Sequence, residues 1–170
     1  AITTKTGITG TAVVTVKVAD TNGNFTTKAF KVTVTPNPYN LSFDTIAGRT
    51  VSTGPTGYTD GTGSAATFTN PKGATGDSAR GLIYVQDGNL IRSISTSGVV
   101  TTLAGSTTNT TQVDGTGASA GIVALASGQT AAMGVSPDNN WLYFYSNGDG
   151  WFRKMGINPS DSANYLNVTS

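Results

Sequence analysis

The residues most open to chemistry are two aspartates in one repeated tetrapeptide. Asp60-Gly61-Thr62-Gly63 and Asp114-Gly115-Thr116-Gly117 stand 54 residues apart. A carboxylate in a Gly-rich turn can join backbone carbonyls in holding Ca²⁺, so Asp60 and Asp114 are candidate calcium ligands. The same carboxylate can instead close an Asx-turn by accepting from backbone N–H groups. Recurrence at one place in two copies favours the structural role. Asp20-Thr21-Asn22-Gly23-Asn24 has the look of a calcium-loop start, but it lacks the later bidentate acid, and a hairpin turn accounts for it. Ca²⁺ is the one cofactor these residues suggest.

A second recurring charge is Arg92, in Leu90-Ile91-Arg92-Ser93-Ile94, matched by Arg153 in Trp151-Phe152-Arg153-Lys154-Met155. Such an Arg can bind an anion; more often it pairs with the turn Asp or lays its stem over apolar surface. The third group is aromatic. Trp141, Tyr143, Tyr145, Trp151 and Phe152 lie close in sequence, among Asn139, Asn140, Asn147 and Asp149. Trp141, Tyr143 and Trp151 are candidate ligand contacts that would stack on the sugar rings of a glycan. The competing role is the core between sheets, which alternating aromatics fill well.

Other chemistries are excluded by composition. The chain has no Cys and no His. Zinc sites of the usual kind, thiol nucleophiles, Ser-His-Asp triads and disulfides are therefore absent. No carboxylate pair is placed for acid–base work, and Gly61-Thr62-Gly63 lies between β-elements rather than in a strand–turn–helix phosphate cradle. No catalytic constellation emerges. Ten basic and nine acidic residues leave a net charge of +1, which gives no electrostatic case for nucleic acid. No apolar run approaches the roughly 18 residues that a membrane span needs, and the N-terminal AITTKTGITG carries no signal-peptide core. Neither nucleic-acid binding nor membrane insertion is expected. Four Asn-X-Ser/Thr sequons occur, at Asn24, Asn40, Asn109 and Asn167, about as many as chance gives in a chain so rich in Ser and Thr.

The elements that position these residues are β-strands. Only 11% of residues are charged and 22 are Gly, while the apolar residues fall in short runs of Val, Ile, Leu, Tyr and Phe. That is the composition of an all-β fold with many turns. The low-charge, Thr-rich surface points to an extracellular or virion-surface setting. Thr11–Ala19 and Phe25–Thr35 alternate apolar with polar residues around Asn22-Gly23, which predicts an antiparallel hairpin with one buried face. Gly7-Ile8-Thr9-Gly10, Val14–Asn24 and Phe30–Thr35 together resemble the C-terminal half of bacterial immunoglobulin-like modules. A lone hairpin is marginal in water, so its edges are expected to pair with something beyond residues 1–40. Pro36 and Pro38 mark a linker.

From Leu41 a repeat can be written out. Copy one runs through Thr45–Gly48, Asp60–Gly63, Ala65–Phe68, Pro71–Gly73, Leu82–Val85, Asn89–Ile94 and Gly98–Leu103. Copy two runs through Leu103–Gly105, Asp114–Gly117, Ala118–Ala120, Met133–Val135, Trp141–Phe144, Gly150–Met155 and Tyr165–Val168. Matching positions lie roughly 54 to 61 residues apart. The two copies resemble NHL-type β-propeller repeats, in which "VTTLAG", "DGTGxxAxFxxPxG", "xxLYVxD" and "xxIRxIxxxG" recur in this order. Copy two departs from that pattern: the Phe and Pro of the second element are absent, Ile122–Thr130 reads as an insertion, and the LYVAD-like strand reads LYFYS.

The resemblances imply the C-terminal part of an immunoglobulin-like sandwich over 1–35, a linker over 36–40, and two four-stranded propeller blades over 41–105 and 106–170. A propeller closes with four to eight blades, so two imply a fragment of a longer chain or a unit completed by other chains. The function this arrangement implies is a non-catalytic extracellular surface, adhesion, filament or appendage component. It would act by repeat stacking, strand pairing and binding of protein or glycan. Its partners would be other copies of itself, further domains of the same chain, or a glycan or cell-surface protein. One alternative is a virion tail or capsid-decoration protein. The other is a propeller lyase or hydrolase whose catalytic residues lie outside this segment.

Overall fold

Alternation decides the faces. Successive side chains of a strand point to opposite sides, so a sheet built of apolar–apolar alternation has two faces to bury. A computed structural model describes residues 10–19, 21, 23, 25–34, 44–48, 57–147 and 150–170. The expectations on Gly7–Thr9, Asp20, Asn22, Asn24, Asn40, Asp149 and the 36–40 linker lie outside the described residues. The described fold is all-β, with three antiparallel sheets and two single-turn 3-10 segments. Contacts divide it into two units, Ala1–Phe43 and Asp44–Ser170.

The first unit holds β1 (Gly10–Ala19) and β2 (Phe25–Val34), paired from Gly10↔Val34 to Ala19↔Phe25. Thr11, Val13 and Thr15 stand exposed opposite Thr33, Lys31 and Ala29, while Val14 and Val32 are half-buried. Among the described residues these two strands pair only with each other.

The second unit holds two sheets of the same plan. Blade one has β3 (Gly61–Thr62), β4 (Pro71–Asp77), β5 (Leu82–Asp87), β6 (Leu90–Ser95) and β7 (Val99–Gly105), in spatial order β3-β7-β6-β5-β4. Blade two has β8 (Gly115–Thr116), β9 (Met133–Val135), β10 (Trp141–Ser146), β11 (Trp151–Gly156) and β12 (Asn167–Thr169), in order β8-β12-β11-β10-β9. Each is a four-stranded meander, edged by a two-residue strand from its own Asp-Gly-Thr-Gly turn.

Strand register makes the repeat quantitative. Gly61 pairs with Val100 as Gly115 pairs with Val168; Tyr84 faces Thr75 as Tyr143 faces Gly134; Gln86 faces Ile91 as Tyr145 faces Phe152. The offset between copies therefore steps from 54 at the Asp-Gly-Thr-Gly turn to 59 at β10, 61 at β11 and 68 at β12. That is wider than the 54 to 61 expected from sequence. Every added residue sits in a connection, so the sheets themselves stay equivalent.

The two faces of each sheet have different partners. On blade one, Leu82, Tyr84 and Gln86 share the forward face with Ile91, while Ile83, Val85, Arg92 and Ile94 share the rear. The forward residues Tyr84, Ile91 and Ala104 form one core with the rear of blade two, namely Leu142, Phe144, Met155, Val168, Ala120 and Ile122. Those six residues are fully buried. Each large apolar side chain so buried contributes about 1.5–3 kcal/mol, which makes this seam the main cohesion of the unit. The rear of blade one is a separate cluster of Ala66, Val85, Ile94 and Val100, packed by Phe68, Ile83 and Ala47.

One turn shows what the repeat demands of the backbone. Gly63 N–H donates to the carbonyl of Gly98, and Gly117 N–H to that of Leu166. Both acceptors have positive φ, +79° at Gly98 and +57° at Leu166. Leu166 carries the strain of a left-handed L-residue, offset by packing of its side chain on the seam. At Gly98 there is no such room, because a Cβ would stand 2.5 Å from the Ile46 carbonyl oxygen. Gly98→Ala is expected to destabilise by more than the roughly 1–2 kcal/mol of left-handed strain alone. Urea unfolding of the two proteins measures it, and an unchanged midpoint would contradict the geometry.

Candidate functional site

The two aspartates and the two arginines meet in the structure. Arg92 leaves β6 on the rear face of blade one and is completely buried. Its Nη2 donates to Asp60 Oδ1 at 2.8 Å and to the Thr59 carbonyl at 2.8 Å. Its Nη1 donates to Asp87 Oδ2 at 3.1 Å and to the Thr67 carbonyl. The guanidinium also lies 4.7 Å from the Phe68 ring centroid, within cation–π range. Asp87 in turn accepts from the backbone N–H groups of Thr69 and Asn70. The planar fork of Arg suits it to several acceptors at once, where a Lys would supply a single point charge.

Asp60 ties this clamp to the outer strand. Its Oδ2 accepts from Thr102 N–H at 2.8 Å and its Oδ1 from Thr102 Oγ1 at 2.9 Å. Burial works to raise its pKa. The bonds from Thr102 and Arg92, with the charge of Arg92, outweigh burial and hold the carboxyl below its ordinary value. The tetrapeptide is therefore a long-range strap: it joins β6 and β7 to the loop ahead of β4. A local Asx-turn does not describe it.

Copy two repeats the clamp with one change. Arg153, also buried, donates through Nη2 to Asp114 Oδ1 at 2.6 Å and to the Val113 carbonyl at 2.9 Å, and through Nη1 to the Gly121 carbonyl. Asp114 accepts from Ser170 N–H and Oγ, as Asp60 does from Thr102. Burial again works upward on Asp114, and the bonds from Arg153 and Ser170 win, so its pKa lies below the ordinary value. Where blade one has Asp87, blade two has Ser146, whose Oγ accepts from Val123 N–H at 3.1 Å. Val123 thus stands where Thr69 does, and the buried Ile122 where Phe68 does. The inserted segment is accordingly shorter than the expected Ile122–Thr130: five extra residues between Val123 and Met133, as the step in offset from 54 to 59 requires.

These donors do not fit a calcium ion. Each carboxylate already faces a guanidinium, a cation where the second cation would stand. No group of three or more acidic or other ligating side chains gathers among the described residues. Asp60 and Asp114 here hold strands together. Sequence reasoning singled out both aspartates and both arginines but passed over Asp87, Thr102, Ser146 and Ser170. Asp87 was findable: it closes the LIYVQD strand in the place where blade two reads LYFYS.

The aromatics divide between faces. Trp141, Tyr143 and Tyr145 alternate along the forward face of β10, opposite Lys154 and Phe152 of β11. Tyr143 is 45% exposed and Phe152 67%. Lys154 places its ammonium 4.3 Å from the Trp141 ring, and Phe152 lies at a tilt 5.6 Å from Tyr145. Trp151 lies across from Ser146, on the register of the rear face, and is 50% exposed at the strand end. Trp141, Tyr143 and Trp151 thus do not form one platform. Register places Trp141, Tyr143, Tyr145 and Phe152 where blade one has Leu82, Tyr84, Gln86 and Ile91. Three of those four, Tyr84, Gln86 and Ile91, are buried, and Tyr84 and Ile91 belong to the core shared with blade two.

Among the described residues no helix is long and apolar enough to cross a membrane. No curated protein and no solved structure gives a significant match. A family model for the Teneurin NHL domain matches residues 17–148, which takes in both Asp-Gly-Thr-Gly turns, blade one and β8–β10, and reaches back into the β1–β2 hairpin. The matched family is one of β-propeller-type, non-enzymatic protein-interaction domains. With a match over more than half its length, two equivalent blades and a recurring Asp–Arg clamp, the chain belongs to the Teneurin NHL-domain family.

Proposed function

We propose that this chain is a non-catalytic, extracellular interaction segment that works by stacking sheet on sheet. One observation carries the reading. The forward face of blade one is closed by the rear of blade two, and the equivalent face of blade two stands open with Tyr143 and Phe152 exposed beside Trp141 and Tyr145. Exposed aromatics in such number on one sheet mark an interaction surface. The fitting partner is an apolar sheet face of the kind Leu142, Phe144 and Met155 present, supplied by a further domain or another copy. Family membership and the low-charge, Thr-rich surface support an extracellular setting, as in an adhesion, filament or appendage component. The β1–β2 hairpin, read as part of an immunoglobulin-like module, would serve as a spacer.

Sedimentation velocity across concentration tests the proposal. The chain is expected to associate as concentration rises, and Tyr143→Glu with Phe152→Glu to abolish association while leaving the thermal transition in place. A chain that stays monomeric with this face intact would overturn stacking on another copy.

A further inference from the structure

We infer that Asn109 is an acceptor site for N-linked glycan, and that the second described sequon, Asn167, is not. The biological use of such a site rests on the extracellular reading above; the chemistry of the site does not.

Sequons alone carry little weight, because chance supplies them. Conformation separates these two. Asn109-Thr110-Thr111 lies in the connection between β7 and β8, outside both sheets. Thr111 Oγ1 donates to Asn109 Oδ1 at 2.8 Å, and Thr111 N–H approaches the same oxygen at 3.4 Å. The sequon is thus folded into an Asx-type turn. Its hydroxyl engages the carboxamide oxygen, and among the described residues Asn109 Nδ2 donates to no acceptor. Asn109 is half-buried, and Thr110 and Thr111, which follow it in the turn, are exposed. The side chain holds no strand or clamp in place, so a bulky substituent on Nδ2 costs the fold nothing that these contacts supply.

Asn167-Val168-Thr169 is the opposite case. Asn167 pairs with Thr116 in the sheet, Val168 is fully buried in the seam, and Thr169 Oγ1 is buried and, among the described residues, without a partner. An enzyme that must recognise the hydroxyl two residues on cannot reach it in the folded chain. A sequon marks a surface loop when it functions, and only the first of these two meets that condition.

The transfer would take its sugar from a lipid-pyrophosphate-linked oligosaccharide. The bond from the sugar C1 to the pyrophosphate oxygen breaks, a C1–Nδ2 bond forms, the lipid pyrophosphate leaves, and one Nδ2 proton passes to a base of the transferase.

The test incubates the folded chain with an oligosaccharyltransferase and its lipid-linked donor, then maps peptides by mass spectrometry. Asn109 is expected to gain the glycan mass and Asn167 to remain unmodified. Asn109→Gln and Thr111→Ala should lose the shift, and Thr111→Ser should keep it, each with an unchanged melting transition. An unmodified Asn109 in the folded chain, or transfer to Asn167 in its place, would overturn the inference. Because the reaction is run on purified protein, its failure is separable from a failure of the extracellular reading, which localisation of the chain in its own cell decides.

Discussion

Arg92→Met is expected to cost about 3–5 kcal/mol of unfolding free energy, the penalty for removing one partner of a buried ion pair. Arg92 and Asp87 are both fully buried, so the carboxylate that remains has no solvent to replace the guanidinium. The substitution also removes the donor to the Thr67 carbonyl, leaves the Thr59 carbonyl with the Thr67 N–H alone, and frees Asp60 from β6. Arg92→Lys should rescue little, because one ammonium cannot reach acceptors spread on both sides of a planar fork. Denaturant unfolding at pH 7 measures both variants. A loss under about 1 kcal/mol, the range of an exposed pair, would show that the clamp does not hold the blade.

Asp114→Asn is expected to cost more than Asp60→Asn. Among the described residues Asp114 is the one acid paired with Arg153, whereas Arg92 keeps Asp87 when Asp60 is neutralised. A hydrogen bond to a charged group is worth about 1.5–3 kcal/mol; Asp114→Asn should fall in that range and Asp60→Asn below it. An equal or larger loss at Asp60 would contradict the assigned difference. Acid should act through the same groups. The folded pKa values of Asp60 and Asp114 lie below the ordinary 3.8, so the unfolded chain binds more protons. Their contribution is complete above that value and is lost as pH falls through the lower folded values. Stability is therefore expected to be flat near neutrality and to drop below about pH 4, with a shallower acid limb in Asp114→Asn.

Much of the architecture could be read from the chain because its signals are local. The Asp-Gly-Thr-Gly turns, the alternating strands and the Asn-Gly hairpin each depend on neighbouring residues. The recurring Arg was legible as a partner for the turn Asp because both recur at matched places. What could not be read depends on register. Trp141 and Trp151 look alike in sequence, yet pairing of Tyr145 with Phe152 puts them on opposite faces. Ile122 looked like part of an insertion, because only the bond from Val123 N–H to Ser146 shows that it fills the place of Phe68. Leu166 gave no sign of standing where the first copy uses Gly98, since the connection before it is seven residues longer. The calcium expectation failed to gain donors for a related reason: a fully buried guanidinium comes from a strand some thirty residues away.

Hydroxyl-radical footprinting of Tyr84 and Tyr143 tests the stacking account most directly. The two tyrosines hold one position in successive blades, so intrinsic reactivity is matched and only the cover differs. The account predicts that Tyr84 is protected at every concentration, that Tyr143 is reactive in dilute chain, and that Tyr143 becomes protected as the chain associates. A Tyr143 that stays reactive in the associated form would show that blades do not stack through this face.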